Sequence, residues 1–366
     1  MDIWTILGLV FAAAVLVQLL YFLLIYRKLA FYKEPQGEFM SPISVVVCGY
    51  NEADNWKRLL PLLLEQNYPK YEIVVVNDQS NDNTKYIFKE WDWHPKLKVV
   101  TIDEHVKKGL GKKFALTLGI KAAQYDHLLL TDADCYPKDK EWVASMVQHF
   151  SEKKQIVLGY GAYEKRKGLL NKLIRFDTFQ VAMQYLSYSL IGQTYMGVGR
   201  NLAYQKSLFF DNKGFASHLH IPSGDDDLFI REVATDSNTA IALSKSSQTL
   251  SEPEESWAKW VRQKTRHLST SGHYNFTHKI LLALWPFSQS LFWVLGVLLL
   301  NQLFMWEYVL ALLVLRLLLQ GFVYYRLMRK MEEKDLFWLF PVWELLQMLF
   351  QFIFVFSNFF KKQKYW

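Results

Sequence analysis

Two carboxylates separated by one small residue end an apolar run at Leu128-Leu129-Leu130-Thr131-Asp132-Ala133-Asp134-Cys135. Like charges that close are unfavourable unless a cation lies beside them. Side chains that offer only oxygen suit a hard ion such as Mg²⁺ or Mn²⁺, with substrate phosphates completing the shell. The competing reading is a turn in which Asp caps the next helix. A second acidic cluster, Gly224-Asp225-Asp226-Asp227, holds three adjacent carboxylates that cannot all be buried without cations or proton uptake. It offers a general base, against the alternative of a solvated loop or helix cap.

Other apolar runs also end in polar residues. Residues 43–48 lead into Gly49-Tyr50-Asn51-Glu52, and 72–76 into Asn77-Asp78-Gln79-Ser80-Asn81-Asp82. Asp78 could accept a hydrogen bond from the imide of a uracil ring, and Glu52 could meet the nucleoside. Helix capping competes for both and is the preferred role for Asp82. Lys112, in Gly109-Leu110-Gly111-Lys112-Lys113, could bring a cation to a nucleotide or diphosphate, although the loop is no phosphate-loop motif. Gly197-Val198-Gly199-Arg200-Asn201 is either a pocket-lining loop, its glycines allowing close backbone approach, or a plain turn. His105, His127, His273 and His278 lack metal-ligand spacing, which leaves surface or interface roles. Cys48 and Cys135 make no disulfide framework, in keeping with a reducing compartment.

These residues need a scaffold that gathers them. Short apolar runs at 43–48, 72–76, 97–102, 127–131 and 155–158 alternate with helical stretches such as 55–66 and 111–124. Continuous rather than alternating apolar residues predict strands buried on both faces, hence an α/β domain over 42–250 with a doubly wound, mostly parallel sheet. Ligands of such sheets bind beyond the carboxyl ends of the strands, where the polar residues above fall.

The two ends of the chain read as lipid-facing. Residues 3–26 are apolar apart from Thr5 and Gln18, long enough to span a hydrocarbon core, and predict a retained anchor over 1–28. Arg27 and Lys28 follow at once, which places the downstream domain in the cytoplasm and the chain in the cell membrane. Residues 251–275 place Trp257, Trp260, Val261 and Leu268 at helical spacing among Lys259, Arg262, Lys264 and Arg266, a pattern for a membrane-surface helix or an ordinary domain helix. Hydrophobic segments at 281–304, 307–325 and 336–360 make 276–366 a region of two or three spans. Pro341 and Glu344 mark the last segment as irregular or re-entrant. Glu344 is either functional or a helix-interface contact. The formal charge of +7 is spread beside these segments, as at Arg326, Arg329, Lys330 and Lys361, Lys362, Lys364, which favours lipid headgroups over nucleic acid.

Taken in order, VVVCGYNE, EIVVVNDQS, GKKFALTLG, LLLTDADC, GVGRNLAY, SGDDDLFI and QKTRH resemble glycosyltransferase family 2 over about residues 42–270. The resemblance implies a glycosyltransferase A-type domain and inverting transfer of a hexosyl-type sugar from a nucleotide-sugar, by family habit a UDP-sugar. It implies Glu52 and Asp78 at the nucleoside, where the residues themselves also put Lys112, and Asp132 and Asp134 at the metal-bound diphosphate, with Asp132 next to the nucleotide. It implies Asp226 as the base, with Asp225 second because the triple Asp leaves the register open. Gln263 and Arg266, within Gln263-Lys264-Thr265-Arg266-His267, look like the Gln-x-x-Arg-Trp motif of processive synthases, at the acceptor end and the donor diphosphate. His267 replaces the Trp of that motif, which favours single transfer to a lipid or lipid-linked glycan over a small processive polysaccharide synthase. A non-catalytic membrane scaffold is the remaining alternative.

Overall fold

A computed structural model describes residues 1–35, 37, 39–103, 111–221, 223–268 and 270–360, with side chains to residue 353. His105, Gly109, Leu110 and the lysines at 361, 362 and 364 lie outside the described residues.

The strands are β1 (Ile43–Gly49), β2 (Tyr71–Asp78), β3 (Leu97–Ile102), β4 (His127–Asp132), β5 (Cys135–Pro137), β6 (Ile156–Gly159), β7 (Gly161–Tyr163), β8 (Leu202–Gln205), β9 (Thr239–Ala242) and β10 (Thr249–Ser251). Seven form one sheet in the order β3-β2-β1-β4-β8-β6-β9, and β5-β10-β7 form a small second sheet. The first four are parallel, and β8 runs antiparallel to both β4 and β6. The fold is therefore the mixed, mostly parallel α/β sheet that the apolar runs predict. All five expected strands form. The short β8 and β9 had no comparable signature, because four residues give little periodicity to read.

Residues of β1, β2 and β4 are buried on both faces because helices cover each side. The amphipathic Ala53–Leu64 helix sends Trp56, Leu59, Leu60 and Leu63 against Ile43, Val45, Val47, Ile73 and Val75. Val46, Val74, Leu128 and Leu130, on the other face, meet Leu116 and Ile120 of the Gly111–Ala122 helix. Register then aligns the strand ends. Gly49 pairs with Asn77, and Cys48 with Asp132, so three polar termini share one edge. Because β8 is antiparallel, with Leu202 opposite Leu130, its first end arrives at that same edge and brings Gly199.

Four helices among the described residues are long and apolar enough to cross a membrane: Ile3–Ala30, Phe276–Asn301, Trp306–Lys330 and Lys334–Ile353. An ion pair joins them in their interior. Arg316 and Glu344 are both fully buried and bonded to each other. Gln18 Oε1 accepts from Arg316 Nη2 at 2.8 Å, and Gln289 Nε2 donates to Glu344 Oε1 at 2.6 Å. Glu344 is thus a helix-interface contact, one of the two roles its sequence context allowed. Burying charge is tolerable here because hydrogen bonds from several helices satisfy all of the pair but Arg316 Nε.

The last helix, Phe340–Phe360, does not run simply beside the other three of these long apolar helices. Its main neighbours are the Leu169–Ser189 and Trp257–Leu268 helices of the α/β region and the short turn before it. Phe350 stacks on Trp257 at 5.3 Å, and Gln347 Nε2 donates to Asp177 Oδ1 at 3.2 Å. The Trp257–Leu268 helix is correspondingly clamped, with Trp260 buried beside Leu173 and Ile174. An acidic connector before the last helix docks into a basic socket. Arg175 Nη1 donates to Asp335 Oδ2 at 2.8 Å, Lys165 Nζ reaches Asp335 Oδ1 at 2.8 Å, and Lys245 pairs with Glu332 at 3.2 Å.

Candidate active site

The edge where β1, β2 and β4 end opens on a narrow cleft lined by Cys48, Lys112, Asp132, Gly199, Asp225 and Asp226 among others. Asp132 comes from the end of β4, and Lys112 from the first turn of the Gly111–Ala122 helix. The acidic cluster comes from a turn at Gly224, whose φ of +97° is a conformation that favours glycine. Lys113 steadies that turn from behind, donating to the carbonyls of His218 at 2.6 Å and Ile221 at 3.0 Å. Two adjacent lysines therefore have different tasks. Lys113 holds the loop; Lys112 faces the cleft.

Lys112 Nζ lies 2.6 Å from Asp132 Oδ1 and 3.0 Å from Asp225 Oδ2, so one ammonium ties the two acidic clusters together. Burial acts against the lysine's charge, but Asp132, Asp225 and Asp226 outweigh it and raise its pKa well above the usual lysine value. Burial likewise acts to raise Asp225, and the Lys112 charge wins, holding that carboxyl below its ordinary value.

The three adjacent aspartates are not equivalent. Asp227 is saturated: it accepts from the Leu228 N–H at 2.7 Å, the Tyr274 hydroxyl at 2.9 Å and the Thr270 hydroxyl. Those partners anchor the segment leading into the Phe276–Asn301 helix, so Asp227 reads as structural. Asp226 faces the cleft, accepting from the Gly199 N–H at 2.7 Å and, as cap of the Asp227–Val233 helix, from the Asp227 N–H at 2.8 Å. Burial, then the charges of Asp225 and Asp227, push it up to about 7. The capping role and the cleft-facing role belong to the same residue.

Asp132, Asp134 and Cys135 place one potential ligand atom each within 4.8 Å of one another, the one such group among the described residues. Burial, then Asp134 and Asp132, raise the Cys135 thiol well above its ordinary value, so it stays protonated. It donates to Asp134 Oδ1 at 3.3 Å and contacts Ser251 Oγ at 2.9 Å. The charged donors are then two carboxylates, a set that fits a hard divalent cation such as Mg²⁺ or Mn²⁺. Although Asp134 is exposed, the protein packed around it and the charge of Asp132 raise it, a repulsion that a cation would relieve.

Glu52 occupies the N-cap position of the Ala53–Leu64 helix without capping it, and Asp82 does so instead, accepting from the Ala53 N–H at 2.9 Å and the Thr84 N–H at 3.0 Å. Glu52 bonds Asn55 Nδ2 at 2.5 Å, and burial followed by Asp134, Asp82 and Asp132 raises its pKa. It therefore lies within the electrostatic reach of the β4 carboxylates. Asp78 ends β2 opposite Ile102 of β3, on the same edge but outside the Lys112 cleft lining.

Gln263 and Arg266 come from the clamped Trp257–Leu268 helix. Tyr163 OH donates to Gln263 Oε1 at 3.5 Å, and the Arg200 guanidinium lies 4.6 Å above the Tyr163 ring. His267 is exposed, yet the protein crowded around it and the charges of Lys264, Arg266, Arg200 and Lys112 push its imidazole down to about 3. Positive charge thus converges on this side of the cleft. Arg200 was not singled out by sequence, where only its glycine-rich loop stood out. His127 packs against Phe39 and Phe150, and His278 beside Tyr195, as interface residues.

Residues 44–210 match the family described as Glycosyl transferase family 2. The chain is 30% identical over 133 residues to a poly-beta-1,6-N-acetyl-D-glucosamine synthase of Staphylococcus epidermidis, covering 36% of this chain and 31% of that protein. It is 31% identical over 123 residues to a 4,4'-diaponeurosporenoate glycosyltransferase of Staphylococcus haemolyticus, covering 34% of this chain and 32% of that protein. The matches therefore span about a third of the length of these relatives. In fold the chain is similar to the mannosyltransferase PcManGT from Pyrobaculum calidifontis in complex with GDP-Man and Mn2+. The TM-score is 0.55 at 18% identity, over 96% of this chain and 99% of that one.

Proposed function

Residues 44–210 belong to glycosyl transferase family 2, and from that premise we propose that the chain moves a sugar from a nucleoside diphosphate donor to a lipid or lipid-linked acceptor at the cytoplasmic face of the cell membrane. Transfer is inverting, and UDP-sugars are the favoured donors. The catalytic region is 42–250, between the anchor at 1–28 and the hydrophobic region at 276–366, with 251–275 joining it to the membrane.

The observation that carries this reading is Asp226. Its carboxyl is fixed by the Gly199 N–H, lines the cleft that Asp132 also lines, and is pushed up to about 7. An inverting transfer needs a base that takes the acceptor hydroxyl's proton as that oxygen attacks the anomeric carbon. A carboxylate with a pKa near neutrality suits that work better than Asp225, held low by Lys112, or Asp227, saturated by three donors. Asp132 and Asp134 would hold Mg²⁺ or Mn²⁺, which when bound would stabilise the charge of the departing diphosphate. Glu52 and Asp78 orient the nucleoside. Lys112 and Arg266 offset diphosphate charge, and Gln263 shapes the acceptor end.

Orientation is supported by the grouping of basic residues at one end of the helices. Lys330 Nζ donates to Leu29 O at 3.2 Å and Arg326 Nε to Ala30 O at 3.2 Å, beside Arg27 and Lys28 and next to the α/β region. Such clustering marks the cytoplasmic side.

The match to a poly-beta-1,6-N-acetyl-D-glucosamine synthase favours a second reading, repeated addition to make a polymer. His267, where the processive motif has Trp, favours single transfer. Product length on a defined acceptor separates the two: one added sugar supports single transfer, and a ladder supports polymerisation.

A further inference from the structure

Arg200 is a cation without a counter-ion among the described residues. Its Nε is buried and has no hydrogen-bond partner, and no ion pair joins its side chain to any described residue. The guanidinium lies 4.6 Å from the Tyr163 ring, while Thr131 Oγ1 and Thr249 Oγ1 each donate at 3.0 Å to its backbone carbonyl. The two threonines lock the backbone, and the ring supports the flat guanidinium. A Cβ at Gly161 would come within 2.6 Å of Arg200 Nε, so a larger residue there would displace the Arg200 side chain.

Several other buried or half-buried cations in this protein meet carboxylates, and buried Lys113 at least meets two carbonyls. Lys112 meets Asp132 and Asp225, Arg175 meets Glu333 and Asp335, Lys264 meets Asp177, and Arg316 meets Glu344. Arg200 is half-buried with its Nε out of reach of water, and that loss of hydration is a cost that pairing normally offsets. A cation–π contact offsets only part of that cost. The remainder calls for an anion, and the surroundings set its place. Arg200 follows Gly199, which holds Asp226, and Tyr163 joins it to Gln263 of the Trp257–Leu268 helix. Asp134 feels its charge without touching it.

We propose that Arg200 is an anion-binding residue of the cleft, taking a phosphate oxygen of a substrate in the gap between the Asp226 loop and the Gln263–Arg266 turn. The proposal rests on the glycosyl-transfer reading for what the substrates are, but the anion site itself does not depend on it. Two sources share the chemistry: the diphosphate of the donor and a phosphate group on an amphiphilic acceptor.

The experiment compares wild-type full-length protein with Arg200→Met and Arg200→Lys, in detergent with Mg²⁺, by calorimetric titration with UDP, UMP and dodecyl phosphate. A donor-diphosphate role predicts that Arg200→Met weakens UDP about tenfold or more, with UMP affected far less and Arg200→Lys in between. An acceptor-phosphate role predicts the same loss for dodecyl phosphate and none for UDP. Unchanged affinity for UDP and dodecyl phosphate, in variants that melt like the wild type, overturns the proposal. Arg200-dependent binding of dodecyl phosphate by protein that binds no nucleotide would keep the anion site and discard the donor reading. Undiminished sugar transfer and UDP and dodecyl phosphate affinity in Arg200→Met would do the reverse.

Discussion

The Gly199 N–H donates to Asp226 Oδ2 at 2.7 Å, and this bond joins two segments that lie 27 residues apart. It fixes one oxygen of the carboxylate while the cleft remains open beside it. A Cβ at position 199 would fall 3.3 Å from that same oxygen, closer than an ordinary contact, so a side chain there would push on Asp226. The relationship makes the position of the candidate base depend on β8, whose antiparallel course brings Gly199 to the edge.

If Asp226 is the base, Asp226→Asn lowers kcat by about 10²–10⁴-fold, the usual contribution of a positioned base. Donor affinity changes little. Steady-state kinetics with donor titration check this, and a larger loss from Asp225→Asn would move the role one residue back.

The raised pKa predicts a pH profile. The base must be unprotonated, so turnover rises with pH through about 7 and levels above it. The same shift predicts a stability effect of definite sign. Between the ordinary value of 3.8 and about 7 the folded protein keeps a proton that the unfolded chain releases. Stability therefore falls as pH rises through that window. Asp226→Asn lacks the titration, so its melting temperature gains on the wild type from pH 4 to pH 8. A parallel pair of melting curves would count against the shift.

Removing divalent metal should abolish transfer, and added Mn²⁺ or Mg²⁺ should restore it. Asp132→Ala and Asp134→Ala should each lose transfer by orders of magnitude while leaving the far-UV circular dichroism spectrum unchanged. Retained turnover after exhaustive EDTA treatment would contradict the metal assignment.

Within the membrane helices, Glu344→Ala leaves Arg316 buried without its carboxylate. The expected cost is about 3–5 kcal/mol of stability, whereas replacing both residues by Met costs far less. Thermal unfolding in detergent of the single and double variants measures the difference.

Sequence pattern exposed the parts of this architecture that rest on local physics. Strands such as Val45–Val47 and Val74–Val76 are continuous apolar runs, and their ends mark the ligand edge without further knowledge. Asp132 and Asp134 were legible because charge directly after such a run is unusual, Lys112 because it follows a glycine-rich loop, and the Asp225–Asp227 cluster because three adjacent carboxylates are hard to bury. The partition of labour within that cluster was not. It depends on Thr270 and Tyr274, 43 and 47 residues beyond Asp227, and on Lys112, which lies more than a hundred residues before Asp225. Arg200 escaped notice because its character comes from what it lacks, a counter-ion, and sequence does not display missing neighbours. The pairing of Arg316 with Glu344 was hidden similarly, since Glu344 alone reads only as a costly charge in an apolar segment.

The most direct test is release of nucleoside diphosphate from a panel of nucleotide-sugars, measured with purified full-length protein, Mn²⁺ and extracted lipids as acceptors. The account predicts release from at least one donor that requires the lipid extract and disappears in both Asp226→Asn and Asp132→Ala. No release from any donor, or equal release by the wild type and both variants, would contradict it.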